Sequence, residues 1–158
     1  MKSKVASFSV DHTTLDRGFY LRSTYKALGF YPLRSYDMRF RAPREKGYLT
    51  PEAIHTIEHL MAHYLREKLP GRVVSFAPMG CKTGFYLIIK GWLSERKVVE
   101  AVAAVCREQS ALRTKEDVPG LTVVQCGNPE LYDIEGSNAA LAEYGAMLEE
   151  KLRGGEFR

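Results

Sequence analysis

Residues 50–68 read T-P-E-A-I-H-T-I-E-H-L-M-A-H-Y-L-R-E-K, and this stretch predicts one amphipathic helix. Thr50 is of a type that caps unpaired amides, Pro51 is tolerated at the first helical position, and Glu52 complements the helix dipole. Apolar residues recur every three or four positions and form a stripe for burial. They are Ile54, Ile57, Leu60, Met61 and Leu65. We therefore expect a packed helix from Pro51 to about Lys68.

The same stretch carries two histidines and a glutamate within about one helical turn. Residues three and four apart share a helix face, so His55, Glu58 and His59 project together. Two imidazoles at this spacing can bind one metal ion, and the adjacent carboxylate is then placed as a base. His63 lies too far along the axis to bind the same ion, so we interpret it as a partly exposed neighbour. The alternative is a solvated helix face, although three of the chain's four histidines lie here.

Length and composition favour one globular domain. The chain has 158 residues, of which 45% are hydrophobic and 27% charged. That is enough for one core and too little for two. We expect a single domain over residues 1–158, with short flexible ends at about 1–4 and 153–158. The net charge of +4 comes from basic residues spread among acidic ones, which argues against a nucleic-acid partner.

Hydropathy and cysteine usage predict a cytoplasmic protein without a membrane partner. No segment approaches the roughly 20 apolar residues that cross a bilayer, and the N-terminus lacks the apolar region of a secretion signal. The three cysteines, Cys81, Cys106 and Cys126, are an odd number at wide spacing. This pattern argues against a disulfide framework and for reduced thiols. Cys106 falls on the core face of a predicted helix, which favours a packing role.

The order of predicted elements indicates an α+β fold. The strands are grouped instead of alternating strictly with helices, so we expect a mainly antiparallel sheet packed by helices. The predicted strands are 5–10, 18–26, 33–40, 72–77, 84–89 and 121–124, and the later helices are about 94–112 and 131–152. Alternation over residues 33–40 places Asp37 and Arg39 on the polar face, where Arg39 could contact a ligand or meet solvent.

Two histidines leave a metal ion short of at least one protein ligand. The candidates for that ligand are Cys81, Cys126 and a distant Glu. Cys81 lies in a predicted turn between Gly80 and Gly84, and Cys126 precedes Gly127 at the end of a predicted strand. Spacing alone does not choose between the two cysteines. A metal-bound thiolate is a poor proton carrier, so the cysteine that is not a ligand could act as an acid or base.

Five short motifs follow one another over about four-fifths of the chain. They are Ser7-Phe8 with Asp11-His12, Asp37-Met38-Arg39-Phe40, His55-Thr56-Ile57-Glu58-His59-Leu60, Pro78-Met79-Gly80-Cys81-Lys82-Thr83-Gly84 and Gln125-Cys126-Gly127. Together they resemble the S-ribosylhomocysteine lyase (LuxS) family. Each motif is weak alone, since H-x-x-E-H also occurs in inverzincin peptidases, whereas the set of five is specific. The resemblance implies a LuxS-like, inverzincin-related single domain.

The resemblance also implies a ligand set and two proton carriers. His55, His59 and Cys126 would bind one divalent metal ion per subunit, usually Fe(II), which Zn or Co can replace. Glu58 and Cys81 would remain free as the catalytic acid and base groups. The active sites of the family lie at a homodimer interface and use residues from both subunits.

Substrate contacts follow from the same resemblance. Ser7, His12 and Arg39 would contact the ribose hydroxyls. Arg66 would approach the homocysteine part, where a guanidinium can donate two parallel hydrogen bonds to a carboxylate. Ser75 departs from the family pattern, which commonly has an Asp three residues before the Pro of P-M-G-C. That departure leaves open how the amino group of the substrate is held.

The implied activity is a metal-dependent lyase reaction on S-ribosylhomocysteine. Such an enzyme opens the sugar, moves its carbonyl along the carbon chain and eliminates homocysteine. The other product is 4,5-dihydroxy-2,3-pentanedione, the precursor of a quorum-sensing autoinducer. One alternative is an inverzincin-type metallopeptidase, in which Glu58 activates water and Cys81 has no assigned role. Another alternative is a non-catalytic metal-binding module.

Overall fold

The computed structural model describes residues 10–27, 31–155 and 157, which form an α+β architecture. The strands are β1 (Gly18–Ala27), β2 (Tyr31–Arg39), β3 (Val73–Pro78) and β4 (Gly84–Lys90), and the helices are α1 (Pro51–Lys68), α2 (Glu95–Glu108) and α3 (Ile134–Gly154). The four strands form a sheet in the order β1-β2-β4-β3, with each neighbouring pair antiparallel. The predicted fold class, a mainly antiparallel sheet packed by helices, is confirmed.

One face of the sheet, the apolar stripe of α1 and the buried faces of α2 and α3 form the core. Side chains of a strand alternate between its two faces, and the inward set of β2 and β4 is fully buried, together with the predicted stripe of α1. These residues are Tyr36, Met38, Phe85, Leu87, Ile89, Ile57, Leu60, Met61 and Leu65. Burying each such side chain contributes about 1.5–3 kcal/mol before the entropy cost.

Helix α1 has the boundaries that the sequence predicts. The Thr50 hydroxyl oxygen accepts a hydrogen bond from Ala53 N at 3.1 Å, and Pro51 begins the helix. Burial of the apolar stripe fixes the rotation of α1 about its axis. As a result His55, Glu58 and His59 lie half-buried at the edge of the stripe, where a ligand can reach them.

Two other side chains occupy the positions predicted for them. Cys106 is fully buried in α2, and burial raises the pKa of its thiol far above the ordinary value. His63 is exposed, and its Nε2 lies 3.3 Å from Glu67 Oε1 on the next turn of α1. Neither residue therefore needs a chemical role. Within the described ranges, no helix is both long enough and apolar enough to cross a membrane.

The predicted strand at 121–124 is wrong, because this segment is a turn. Gln125 N and Cys126 N both donate to the carbonyl oxygen of Thr122, at 3.1 and 2.8 Å. Val123 and Val124 are 83% and 90% exposed. A β-branched run forms a strand when it can pack on a sheet, and here it has no such surface. The predicted strand at 5–10 lies outside the described residues except for Val10, which is in a bend.

Candidate metal centre

Two imidazoles and one thiol converge beside α1. The available ligand atoms of His55, His59 and Cys126 all lie within 4.8 Å of one another. The Nε2 atom of His55 is 3.3 Å from the Sγ atom of Cys126. A tetrahedral ion with bonds of about 2.0–2.3 Å holds its ligand atoms about 3.3–3.7 Å apart. The cluster is therefore close to the size that one divalent ion requires.

Backbone carbonyls orient both imidazoles. His55 Nδ1 donates to Leu131 O at 2.6 Å, and His59 Nδ1 donates to Pro119 O at 3.0 Å. A carbonyl oxygen can only accept, so Nδ1 carries the proton in the neutral form of each ring, and Nε2 is then the nitrogen with a lone pair for a metal ion. Metal-binding histidines are commonly held in this way. The donor set thus fits a divalent metal ion.

The segment that supplies the acceptor for His59 approaches the ring closely at Gly120. This residue has φ +74°, a conformation that favours glycine. A Cβ atom there would lie 3.4 Å from His59 Nδ1. Gly120 therefore lets the chain pass beside the imidazole while Pro119 O points at it.

A tight turn places Cys126. Its backbone N–H donates to Thr122 O at 2.8 Å, and Asn128 N lies 3.4 Å from its Sγ atom, within reach to donate a weak hydrogen bond. The following residues return to α1, where Leu131 O accepts from His55. The loop that carries Cys126 therefore supplies both the thiol and the backbone carbonyl that orients His55.

A cavity of about 720 Å³ opens at this cluster. Its lining includes the three candidate ligands together with Glu58 and Arg66. Arg66 is exposed, and its guanidinium also donates to Ala62 O at 2.6 Å. The cavity thus combines the candidate ligands with Glu58, which is not a candidate ligand, and with the Arg66 guanidinium, which could bind a carboxylate of a ligand.

A second polar cluster lies on the open face of the sheet. Asp37 and Arg39 are each 2% exposed, so Arg39 does not meet bulk solvent. Arg39 Nε and Nη2 donate to the two carboxylate oxygens of Asp37 at 3.1 and 2.7 Å, and Arg22 donates to Asp37 as well. Such paired donation fixes the plane of the Arg39 guanidinium.

The remaining edge of that guanidinium faces the turn between β3 and β4. Arg39 Nη1 donates to Thr83 Oγ1 and lies 3.7 Å from Cys81 Sγ, which is 3.0 Å from the same hydroxyl. Partial burial alone would raise the pKa of the Cys81 thiol. The hydrogen bonds from Thr83 and the positive charge of Arg39 outweigh it and lower that pKa below its ordinary value. Cys81 is therefore an exposed thiol that ionises readily.

Gly84, which follows this turn, is required for packing between strands. A Cβ atom on Gly84 would lie 2.1 Å from Met38 O. The glycine therefore allows β4 to approach β2 where Cys81, Thr83 and Arg39 meet. Gly84 therefore has a packing role within the sheet.

Arg39 lines a second cavity of about 580 Å³, with His12 and Ser75 also on its wall. His12 is exposed, and its Nδ1 is 2.9 Å from Val10 O. Ser7 lies outside the described residues. The two cavities share no lining residue within the part of the chain that is described. The His55 cluster and the Arg39 guanidinium thus line different cavities, whereas the turn around Cys81 shares a third cavity with His55 and Glu58.

Sequence reasoning missed the groups that hold these clusters. Leu131 and Pro119 act through backbone carbonyls, for which residue type gives no signal. Asp37 and Arg39 share the predicted polar face of one strand, whereas the contact of Thr83 with Arg39 follows only from the strand register. The dipeptide Pro119-Gly120 was the one available local signal, since it is typical of a turn.

A histidine pair and a loop cysteine around one gap, on an α+β fold, define a candidate metal-dependent enzyme. The comparisons make this specific: the chain belongs to the S-ribosylhomocysteinase (LuxS) family, whose model matches residues 5–153. The match covers nearly the whole chain, including all nine residues proposed from the sequence for the site.

Individual relatives agree with the family match. The chain is 40% identical to the S-ribosylhomocysteine lyase of Thermus thermophilus over 137 residues, which cover 87% of this chain and 86% of that protein. It is 34% identical over 149 residues to the S-ribosylhomocysteine lyase of Borreliella burgdorferi, with 92% of each protein covered. It is 36% identical over 127 residues to the one from Finegoldia magna, with 80% and 79% covered.

Proposed function

We propose that this chain cleaves S-ribosylhomocysteine to homocysteine and 4,5-dihydroxy-2,3-pentanedione as a metal-dependent lyase. The observation that carries the proposal is the convergence of His55 Nε2, His59 and Cys126 Sγ beside Glu58 in a chain of this family. Family membership leaves the metallopeptidase alternative without support. A non-catalytic module would leave the readily ionised Cys81 without a use.

His55, His59 and Cys126 would hold one divalent ion per subunit, Fe(II) in the first instance, with Zn or Co as substitutes. The fit of the two oriented imidazoles and the thiol supports this ligand set. A divalent cation there supplies Lewis acidity, which polarises carbonyl and hydroxyl oxygens of the open sugar and makes the adjacent C–H groups more acidic. The protein side chains then have only to move protons.

Glu58 is placed to carry a proton between neighbouring carbons. It lies on the helix face of the two histidines and lines the same cavity. A carboxylate there can take the proton from the carbon next to the carbonyl and return it to the carbonyl carbon, while the proton of the neighbouring hydroxyl passes to the former carbonyl oxygen. Repeating this transfer moves the carbonyl along the sugar chain without consuming any other reactant.

Cys81 is the second proton carrier in the proposal. Its lowered pKa increases the fraction of thiolate relative to an ordinary cysteine, and a thiolate can accept a proton from carbon. In the last step a C–H proton leaves and the C–S bond breaks. The electron pair of that bond leaves with sulfur, and homocysteine thiolate takes up a proton. The elimination consumes no water.

Substrate contacts complete the proposal. Ser7, His12 and Arg39 would bind the ribose hydroxyls, and Arg66 would meet the homocysteine carboxylate. The open cavities that contain His12, Arg39 and Arg66 support these roles. Because Arg39 donates to both Asp37 and Thr83, it also holds Cys81 in place.

The working unit would be a homodimer in the cytoplasm. His12 and Arg39 line a cavity that shares no described lining residue with the metal-centre cavity, and this supports a site that two subunits complete together. The three free thiols support a reducing compartment. In this arrangement the Arg39 cluster of one subunit would face the metal centre of the other.

Thiol release tests the proposed function directly. The purified chain is loaded anaerobically with Fe(II) or Co(II) and mixed with S-ribosylhomocysteine. Free thiol is measured with a chromogenic disulfide, and the diketone is trapped with an aromatic 1,2-diamine. We expect equal amounts of thiol and diketone. Absence of thiol release from the metal-loaded chain at saturating substrate would contradict the proposal.

A further inference from the structure

Thr56 differs from the other polar residues of the H-x-x-E-H stretch because it is completely buried. Its hydroxyl donates to Glu52 O, one turn earlier in α1, at 2.9 Å. A threonine within a helix often makes this bond. The hydroxyl oxygen also accepts a hydrogen bond from Asp133 N at 3.0 Å. The second bond leaves the helix, so Thr56 links α1 to a distant part of the chain.

Asp133 ends the loop that carries Cys126 and begins α3. Its side chain caps α3 by accepting from Gly136 N at 2.8 Å, and it also accepts from the Thr50 hydroxyl at 3.5 Å. The loop, defined as residues 126–133, is therefore attached to α1 by both threonines at its far end.

Two further contacts between this loop and α1 involve candidate ligands. Leu131 O, two residues before Asp133, accepts from His55 Nδ1, and Cys126 Sγ lies 3.3 Å from His55 Nε2. His55 and Thr56 are adjacent in α1, so the bond to Asp133 N sets how the loop lies along the imidazole. A shift of the loop would move both the acceptor of His55 and the thiol.

We propose that Thr56 is a positioning residue for the metal centre, because its buried hydroxyl holds residues 126–133 against α1. This inference rests on the proposed metal site and deepens it. The hydroxyl is required as both donor and acceptor. The isosteric Thr56→Val keeps the shape, yet it leaves Asp133 N and Glu52 O without this partner. Thr56→Ser keeps the hydroxyl and loses only a methyl group.

The test measures metal binding and needs no substrate. The full chain is prepared metal-free as wild type, Thr56→Val, Thr56→Ala and Thr56→Ser. Each is titrated with Co(II) against a competing chelator, and the thiolate-to-cobalt absorption band is recorded. We expect Thr56→Val and Thr56→Ala to weaken binding by about 10- to 100-fold, as is typical for residues that orient metal ligands. The band should also lose intensity, and Thr56→Ser should restore both properties.

Ser137→Ala is the matched control. Ser137 is also fully buried in a helix, and its hydroxyl donates to Ile134 O at 3.0 Å in the same helical turn. This variant should lose some stability in urea while keeping wild-type Co(II) affinity. If Thr56→Val does not fold by circular dichroism, Thr56→Ala carries the same expectation.

The outcomes separate the inference from the proposed function. Wild-type affinity and band intensity in the hydroxyl-free variants would overturn the role of Thr56. Equal weakening in Ser137→Ala would reduce that role to general helix stability and overturn it as well. Failure of the wild type to bind Co(II) would instead overturn the metal centre itself, and with it the proposed function.

Discussion

The metal cluster and the Cys81 cluster are held by different kinds of groups. Backbone carbonyls of Leu131 and Pro119 orient His55 and His59 through neutral hydrogen bonds. Around Cys81 the holding groups are side chains, two of them charged: Asp37, Arg39 and Thr83. The carbonyls of the metal cluster fix the direction of the imidazole lone pairs, whereas Arg39 and Thr83 lower the pKa of the Cys81 thiol.

This difference matches what each region has to do. A metal ligand needs a fixed tautomer at all working pH values, and a carbonyl acceptor does not titrate. A proton carrier needs a pKa near the working pH, which nearby charges and donors can adjust. Asp37 and Arg39 also line a cavity that shares no described lining residue with the metal-centre cavity. Variants in each region should therefore fail in distinguishable ways.

The largest expected effects come from single substitutions in the two regions. Cys126→Ala should lose both bound metal and turnover, because it removes a ligand. Cys81→Ala and Glu58→Gln should keep metal and fold while turnover falls by about 10²- to 10⁴-fold, the usual contribution of a positioned acid or base. Metal content by elemental analysis and thiol release separate the two classes.

A Cys81→Ala protein that loses metal would contradict this division, as would normal turnover by either Cys81→Ala or Glu58→Gln. Cys106→Ala serves as the control for removal of a thiol. Cys106 is fully buried in α2, so its replacement should lower the stability of the protein and leave the metal content unchanged.

A mixed dimer tests whether the two regions meet across subunits. Cys81→Ala and Cys126→Ala chains are co-expressed with different tags, and the doubly tagged dimer is isolated. Each parent is inactive, but the mixed dimer has one site with both groups intact if the site is shared. We expect about half of wild-type turnover per dimer from a symmetric pair.

The mirror pairing sharpens this result. Wild type paired with the double variant Cys81→Ala/Cys126→Ala should be inactive, because each shared site then lacks one group. If instead each chain contains a whole site, the mirror pairing keeps half of the activity and the first pairing has none.

Much of the fold could be predicted because its signals are local. Helix α1 begins at Pro51 and ends at Lys68 as expected, since cap, apolar stripe and breaker are all adjacent in sequence. The predicted bounds of strands β3 and β4 differ from the observed ones by one residue at most. The run at 121–124 was misassigned because β-branched residues indicate a strand only where a sheet edge receives them.

The candidate site was predictable to the extent that it consists of side chains. His55, Glu58, His59 and Arg66 share a cavity because one helix face carries them. The carbonyls that orient the imidazoles could not be predicted, because every residue type has a backbone carbonyl. The second hydrogen bond of Thr56 could not be predicted either, because its partner Asp133 lies 77 residues further along the chain.

A smaller effect is expected when the pKa of Cys81 is changed. Thr83→Val removes a hydroxyl that helps to lower this pKa, so the pKa should rise toward the ordinary value of a thiol. At neutral pH the thiolate fraction then falls, and turnover should fall several-fold and recover as the pH increases. Alkylation of Cys81 as a function of pH, followed by peptide mass spectrometry, checks the direction of the shift.

Thr24→Val is the control for this pH experiment, since Thr24 is exposed on β1. It should leave the alkylation midpoint of Cys81 unchanged. A Thr83→Val protein with the wild-type midpoint would show that the charged side chains alone set the reactivity of Cys81.

The smallest effect is expected at Gly120, in the backbone-held region. Gly120→Ala places a side chain at φ +74° and puts a Cβ atom 3.4 Å from His59 Nδ1. The left-handed conformation should cost about 1–2 kcal/mol of unfolding free energy, and crowding of the ring should weaken metal affinity. Gly71→Ala has nearly the same conformation, φ +70°, with no atom within 4 Å of the added Cβ. It should therefore lose similar stability in urea and keep its Co(II) affinity. Equal affinities in both variants would mean that His59 tolerates the approach, and that only the carbonyl of Pro119 matters for its orientation.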